Sequence, residues 1–120
     1  MEQDQSTASK LGEVLSQVLG GKNSLIIAST DLTHYQPRDI AERQDKKALT
    51  AILSISPKYL SRAVSRYRIS MCGSGPVMAM LAAVSLAGAK TAKLLKYATS
   101  GDITGDHEAV VGYASVAVEK

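Results

Sequence analysis

Between Val77 and Ala87 the chain reads Val-Met-Ala-Met-Leu-Ala-Ala-Val-Ser-Leu-Ala, apolar on nearly every side of a helix. A helix of that kind is buried, so the other elements must wrap around this segment. Gly88 closes it, and Pro76 suits its first helical position. The wrapping material is lean. There is no Phe and no Trp, all five aromatic residues are Tyr, and the apolar 45% of the 120 residues includes sixteen Ala. Small side chains pack closely but bury little area each, and a chain of this size buries only about two-thirds of its unfolded surface. The expected core is modest and would gain from a partner surface. The length predicts one domain, residues 1–120.

Leu11, Val14, Leu15, Val18 and Leu19 follow helical spacing after six residues that read as frayed, and Gly20-Gly21 ends that helix. Leu25-Ile26-Ile27-Ala28 is short, continuous and β-branched, the pattern of a buried central strand. A second helix is predicted from about Arg38, with Ala41, Ala48, Leu49, Ile52 and Leu53 as its apolar members. Ser56-Pro57 breaks it and opens a third, with Ser56 as N-cap. There Tyr59, Leu60, Ala63, Val64 and Tyr67 are expected inward, while Lys58, Arg62 and Arg66 form a basic stripe. After the buried helix, 91–99 and 109–118 read as strands around a loop rich in Gly and Asp. The expected fold is α/β, with helices layered around a small mixed sheet. Three strands are few, since sheets usually have about four to six, and bare apolar edges are avoided. The sheet is therefore expected to continue into a second copy, another subunit or the other half of a longer chain.

Several classes are disfavoured. No apolar run approaches the roughly 20 residues of a membrane-spanning helix. The start, Met1-Glu2-Gln3-Asp4-Gln5, is polar and acidic, unlike a secretory signal. A single cysteine, Cys72, forms no internal disulfide and suits a reducing compartment, so the cytoplasm is the expected location. Net charge is +3, but residues 38–68 hold eight basic and three acidic side chains, a local +5. Such a segment can meet nucleic acid, an acidic membrane surface, a phosphorylated ligand or only water. The Tyr residues are not interleaved with the stripe as a stacking platform needs, which disfavours nucleic acid. Dinucleotide fingerprints, Walker loops, paired-cysteine zinc motifs and nucleophile elbows are missing.

Two constellations can carry chemistry. Ser29-Thr30-Asp31-Leu32-Thr33-His34-Tyr35 follows the predicted strand, where open α/β sheets bind ligands. A carboxylate can orient an imidazole through one ring nitrogen and leave the other as acid, base or ligand; equally, Asp31 can cap the loop while His34 only hydrogen-bonds there. Cys72-Gly73-Ser74-Gly75-Pro76 precedes the buried helix, whose free N–H groups favour an anion at Gly73, Ser74 and Gly75. A thiol there is a better ligand or nucleophile, or a buried inert cysteine. A third acidic stretch, 100–108, fails the calcium-loop spacing, and His107 reads as a solvated loop residue.

Taken together, Ile26 to Tyr35, Cys72-Gly73 with Pro76, Tyr97 to Asp106, and Val110 to Ser115 resemble the carboxy-terminal half of the Memo family, also called AmmeMemoRadiSam system protein B. The resemblance implies half of an extradiol-dioxygenase-like fold with a pocket at the end of its sheet. It implies that Cys72 is a metal ligand and that His34 and Asp31 line the same pocket. Iron is the metal it suggests, with copper as the other, together with redox chemistry and recognition of phosphotyrosine peptides. The two metal-binding histidines of the family's amino-terminal half have no counterpart here. The leading expectation is a component of a metal-dependent redox centre: Cys72 and His34 as ligands, His34 and Asp31 as catalytic groups, and the remaining ligands from an amino-terminal-half subunit or a homo-oligomer. The alternatives are a non-enzymatic module binding a phosphopeptide or other anion, and a thiol enzyme pairing Cys72 with His34.

Overall fold

The structure is a computed structural model and describes residues 3–120. Helix α1 (Gln5–Leu19) starts where Asp4 caps it, its carboxylate accepting from the N–H groups of Ser6 and Thr7. Those bonds, Thr7 first, hold the Asp4 carboxyl below its ordinary pKa. The expected fraying of the first six residues is thus corrected from Gln3 onward, while residues 1 and 2 lie outside the described ones. The face that α1 turns to the core is made of small residues, Ala8 and Gly12. A Cβ at Gly12 would stand 2.5 Å from the Ala82 Cβ, so only glycine permits this approach. Much of the larger stripe is left outside: Leu11, Val14 and Val18 are each about half exposed, while Leu15 and Leu19 are partly buried.

The helix that α1 approaches is α4 (Ser74–Leu86), the centre of the molecule, with Val77, Met78, Ala79, Leu81, Ala82 and Ala83 buried. Its uniform apolarity predicts this burial, although Leu86 emerges at the far end. Pro76 occupies the third position of α4 rather than the first. It still lies in the first turn, where a missing N–H leaves no helical bond unmade.

Helix α3 (Pro57–Tyr67) begins as expected, Ser56 accepting from the Tyr59 N–H at 3.2 Å. Leu60 and Ala63 face inward, but Tyr59 and Tyr67 reach the surface. The Tyr67 ring lies under the Lys47 ammonium, 3.9 Å from its centroid, which rewards an outward ring. Helix α2 (Arg38–Leu53) buries Ala41, Ala48, Leu49 and Ile52, together with one carboxylate, Asp45.

Strands β1 (Thr91–Thr99) and β2 (Gly112–Glu119) pair antiparallel, from Thr91 opposite Glu119 to Thr99 opposite Gly112, with a bulge at Leu95. Between them the expected loop contains one helical turn, α5 (Gly101–Thr104). The α/β layering is as expected. The sheet, however, has two strands among the described residues and is antiparallel rather than mixed. The missing member is Leu25–Ala28, which belongs to neither helix nor strand, with Leu25 83% and Ile27 81% exposed. Apolar, β-branched sequence favours a strand only where a neighbour supplies the ladder, and none of the described residues does so.

Candidate metal centre

Two loops meet at the amino-terminal end of α4, and Asp45 fixes the first of them. Its carboxylate is fully buried, accepting from the Thr33 N–H at 2.9 Å and from the Tyr97 hydroxyl at 2.7 Å. Burial, then the bond to Asp45, push the Tyr97 phenol well above its ordinary pKa. Gly112 completes the anchor: its carbonyl accepts from the Leu32 N–H and its N–H donates to the Thr33 carbonyl, both at 2.9 Å. A Cβ at Gly112 would coincide with the Asp45 carboxylate, so glycine is required there.

The second loop, Ser70 to Gly73, is fastened to the first. The Gly73 N–H donates to the Thr30 hydroxyl at 2.7 Å, and the His34 N–H to the Ser70 hydroxyl at 2.8 Å. A Cβ on Gly73 would meet Thr30 and Ser29 at 2.6 and 2.8 Å, so this contact also depends on glycine. The chain then turns at Tyr35, a non-glycine residue held at φ 56° beside the site.

This double anchoring brings Asp31, His34 and Cys72 together. One ligand atom from each, an oxygen, a ring nitrogen and the sulfur, lie within 4.8 Å of one another. His34 Nδ1 stands 2.7 Å from the Ser70 carbonyl oxygen. A carbonyl can only accept, so Nδ1 carries the proton and a neutral ring presents a bare Nε2. That atom faces Asp31 Oδ2 at 3.9 Å. The Cys72 sulfur accepts from the Asp31 N–H at 3.4 Å and is open to solvent. Asp31 is half exposed and His34 about a quarter exposed, so the cluster forms a shallow surface site rather than a sealed one.

Two expectations change here. The imidazole is oriented by the Ser70 carbonyl, leaving Asp31 on the ligand side of the ring rather than behind it. The helix end at Gly73, Ser74 and Gly75 is occupied from within: Gln3 Oε1 accepts from the Gly75 N–H and, at 3.1 Å, from the Ser74 hydroxyl. An external anion would have to displace that side chain and the Thr30 hydroxyl. His107 lies apart from the cluster on the exposed loop, its carbonyl accepting from the Arg38 N–H. The stripe of Lys58, Arg62 and Arg66 is exposed. Residue patterns alone assign no positioning role to Thr30, Ser70, Gly112 or Asp45. Only Asp45 leaves a trace: a charged residue at an inward helical position between Ala41 and Ala48.

Helices layered on a small sheet, with cysteine, histidine and aspartate gathered where two loops meet, define an α/β protein with a cluster of side-chain types that can ligate a metal. Its sequence matches the family model described as Memo-like protein over residues 1–117. A MEMO1 family protein of Methanocaldococcus jannaschii is 51% identical over 99% of the chain, which covers 42% of that relative. One from Methanopyrus kandleri is 44% identical over 94% of the chain and 41% of its own length; one from Methanosarcina mazei is 42% identical over 98% and 45%. The chain belongs to the Memo-like family, and it spans less than half the length of these relatives. No helix of the described residues is long and apolar enough to cross a membrane.

Proposed function

We propose that this chain carries one side of a metal-dependent redox centre, with Cys72 and His34 as ligands and Asp31 as a third ligand or as a proton acceptor beside them. The observation that carries this reading is the convergence of the three ligand atoms within 4.8 Å, with His34 Nε2 left free by the Ser70 carbonyl.

The donor set fits such an ion. Bonds of about 2.0–2.3 Å at tetrahedral angles place neighbouring ligand atoms about 3.3–3.7 Å apart, so the three groups need close only by about an ångström. Sulfur with imidazole suits copper or iron, and added carboxylate favours iron. When bound, such an ion would supply one-electron chemistry and Lewis acidity. Three protein ligands leave room for more, and the family length outside residues 1–120 is where we place their source. The chain's own contribution is to set the donor atoms. Ser70 selects the His34 tautomer, the Asp31 N–H holds the sulfur, and Asp45 with Gly112 fixes the loop that carries both Asp31 and His34.

The test is anaerobic titration of the chain with iron(II) and with copper. The expected result is one equivalent bound, with a sulfur-to-metal charge-transfer band, lost in Cys72→Ser and weakened at least tenfold in His34→Ala. Equal uptake by the wild type and both variants, or none by folded wild type, overturns the reading.

A further inference from the structure

We propose that the exposed band of Lys47, Lys58, Tyr59, Arg62, Arg66 and Tyr67, across α2 and α3, binds single-stranded nucleic acid. From Lys46 to Gly101 the sequence holds nine Lys and Arg and no Asp or Glu. Six of the nine, Lys46, Lys47, Lys58, Arg62, Arg66 and Arg68, lie on or beside α2 and α3, and all six are exposed. None of them forms an ion pair among the described residues, whereas Arg38 and Arg43, earlier on α2, are each paired with a carboxylate. A surface whose cations have no internal partner attracts a polyanion.

The aromatic rings decide which polyanion. The sequence pattern turns both tyrosines inward, which would leave the stripe with nothing for a base to stack on; in the fold, Tyr59 is 49% exposed and Tyr67 36%. At about 100° per residue, Lys58, Arg62 and Arg66 span about 80° of arc on α3, and Tyr59 lies only about 20° beyond Arg66. Tyr67 continues the band toward α2: Lys47 Nζ lies 3.9 Å from its ring centroid and Arg66 Cζ 5.6 Å. Two like charges share this ring with no carboxylate paired to either, and a phosphate settling there relieves their repulsion. The result is a line of cations with aromatic rings along its α2 side, the combination that holds a phosphate backbone and its unstacked bases. A lipid surface is favoured by aliphatic side chains that insert, and Tyr59 and Tyr67 are the only large exposed hydrophobics between Lys46 and Arg68. A duplex keeps its base faces stacked and gains nothing from the two rings. This inference is independent of the metal reading, and its test involves no metal.

The test is fluorescence anisotropy of a labelled oligouridine of about twelve nucleotides, titrated with the chain. The expected result is saturable binding whose log K falls against log salt with a slope of about −3, from four engaged cations at about 0.7 each. Arg62→Gln combined with Arg66→Gln is expected to halve that slope to about −1.4 and to weaken binding at least tenfold. Tyr59→Ala is expected to weaken it about tenfold with the slope unchanged, and Tyr59→Phe to keep it whole. All of these positions are exposed, and circular dichroism of each variant is expected to match the wild type. Failure to bind at low salt, full binding by the double variant, or binding by Tyr59→Ala as tight as wild type overturns the proposal. So does tighter binding of the chain to phosphatidylserine vesicles, to polyglutamate or to an RNA duplex of the same length.

Discussion

Leu25–Ala28 and Asp31–His34 belong to one stretch without helix or strand, and the fold treats them in opposite ways. In the second, Leu32 is 2% exposed and Thr33 fully buried, with backbone bonds to Gly112 and a further one to Asp45. In the first, Leu25 and Ile27 stand in solvent with no main-chain partner among the described residues. The more apolar segment is the less buried one. Burial here follows the supply of hydrogen-bonding neighbours: α2 and β2 provide them for the site loop, and none of the described residues provides them for the segment before it.

That contrast is easiest to break at Gly112. Gly112→Ala drives a methyl into the Asp45 carboxylate and is expected to cost about 3–4 kcal/mol or to prevent folding. Urea denaturation followed by circular dichroism measures it. Asp45→Ala leaves the Thr33 N–H and the Tyr97 hydroxyl without their acceptor and is expected to cost about 3 kcal/mol. Combined with Gly112→Ala it should cost well below the sum, because the clash has lost its partner. An additive double variant would show that the two residues do not meet.

Tyr97→Phe is a gentler probe, expected to cost about 1 kcal/mol at neutral pH. The folded phenol holds its proton above the ordinary pKa, so this contribution is complete below about pH 10. It is lost as pH rises past that value, where the unfolded chain ionises first. The stability gap between wild type and Tyr97→Phe should therefore narrow between pH 9 and 11, as read from urea midpoints; a constant gap would remove Tyr97 from the anchor. The smallest effect is expected at the bare segment. Leu25→Ser and Ile27→Ser should each change the stability of the isolated chain by no more than about 0.5 kcal/mol. A loss of 2 kcal/mol from either would mean that the segment is buried in solution.

The helices were legible in sequence because their signals are local: the Ser56-Pro57 start, the uniform apolarity after Pro76, and the spacing of Ala41, Ala48 and Ile52. The two Val- and Leu-bearing strands were legible for the same reason. Leu25–Ala28 was misread because a strand is defined by its neighbour, which composition cannot reveal. On α1 the apolar spacing marks the helix but not its inward face, because Ala8 and Gly12, rather than the larger side chains, settle which face meets α4. Asp31, His34 and Cys72 stood out as residue types able to bind a metal, and the fold brings them together. Their positioning groups did not stand out, since a Ser70 carbonyl or a Gly112 amide carries no mark in the sequence until the chain is folded around it.

Gln3 ties the start of the chain to the loop that carries the thiol. Its side-chain amide donates to the Cys72 carbonyl at 2.6 Å, across 69 residues, and accepts from Ser74 and Gly75 beyond it. One glutamine thus splints the main chain from the Cys72 carbonyl to the Gly75 amide, just beyond the sulfur. A fluorophore or affinity handle grafted next to it would tug on the seat of the thiol and distort whatever spectrum the thiol reports. Labels belong instead on α3, at the exposed Lys58.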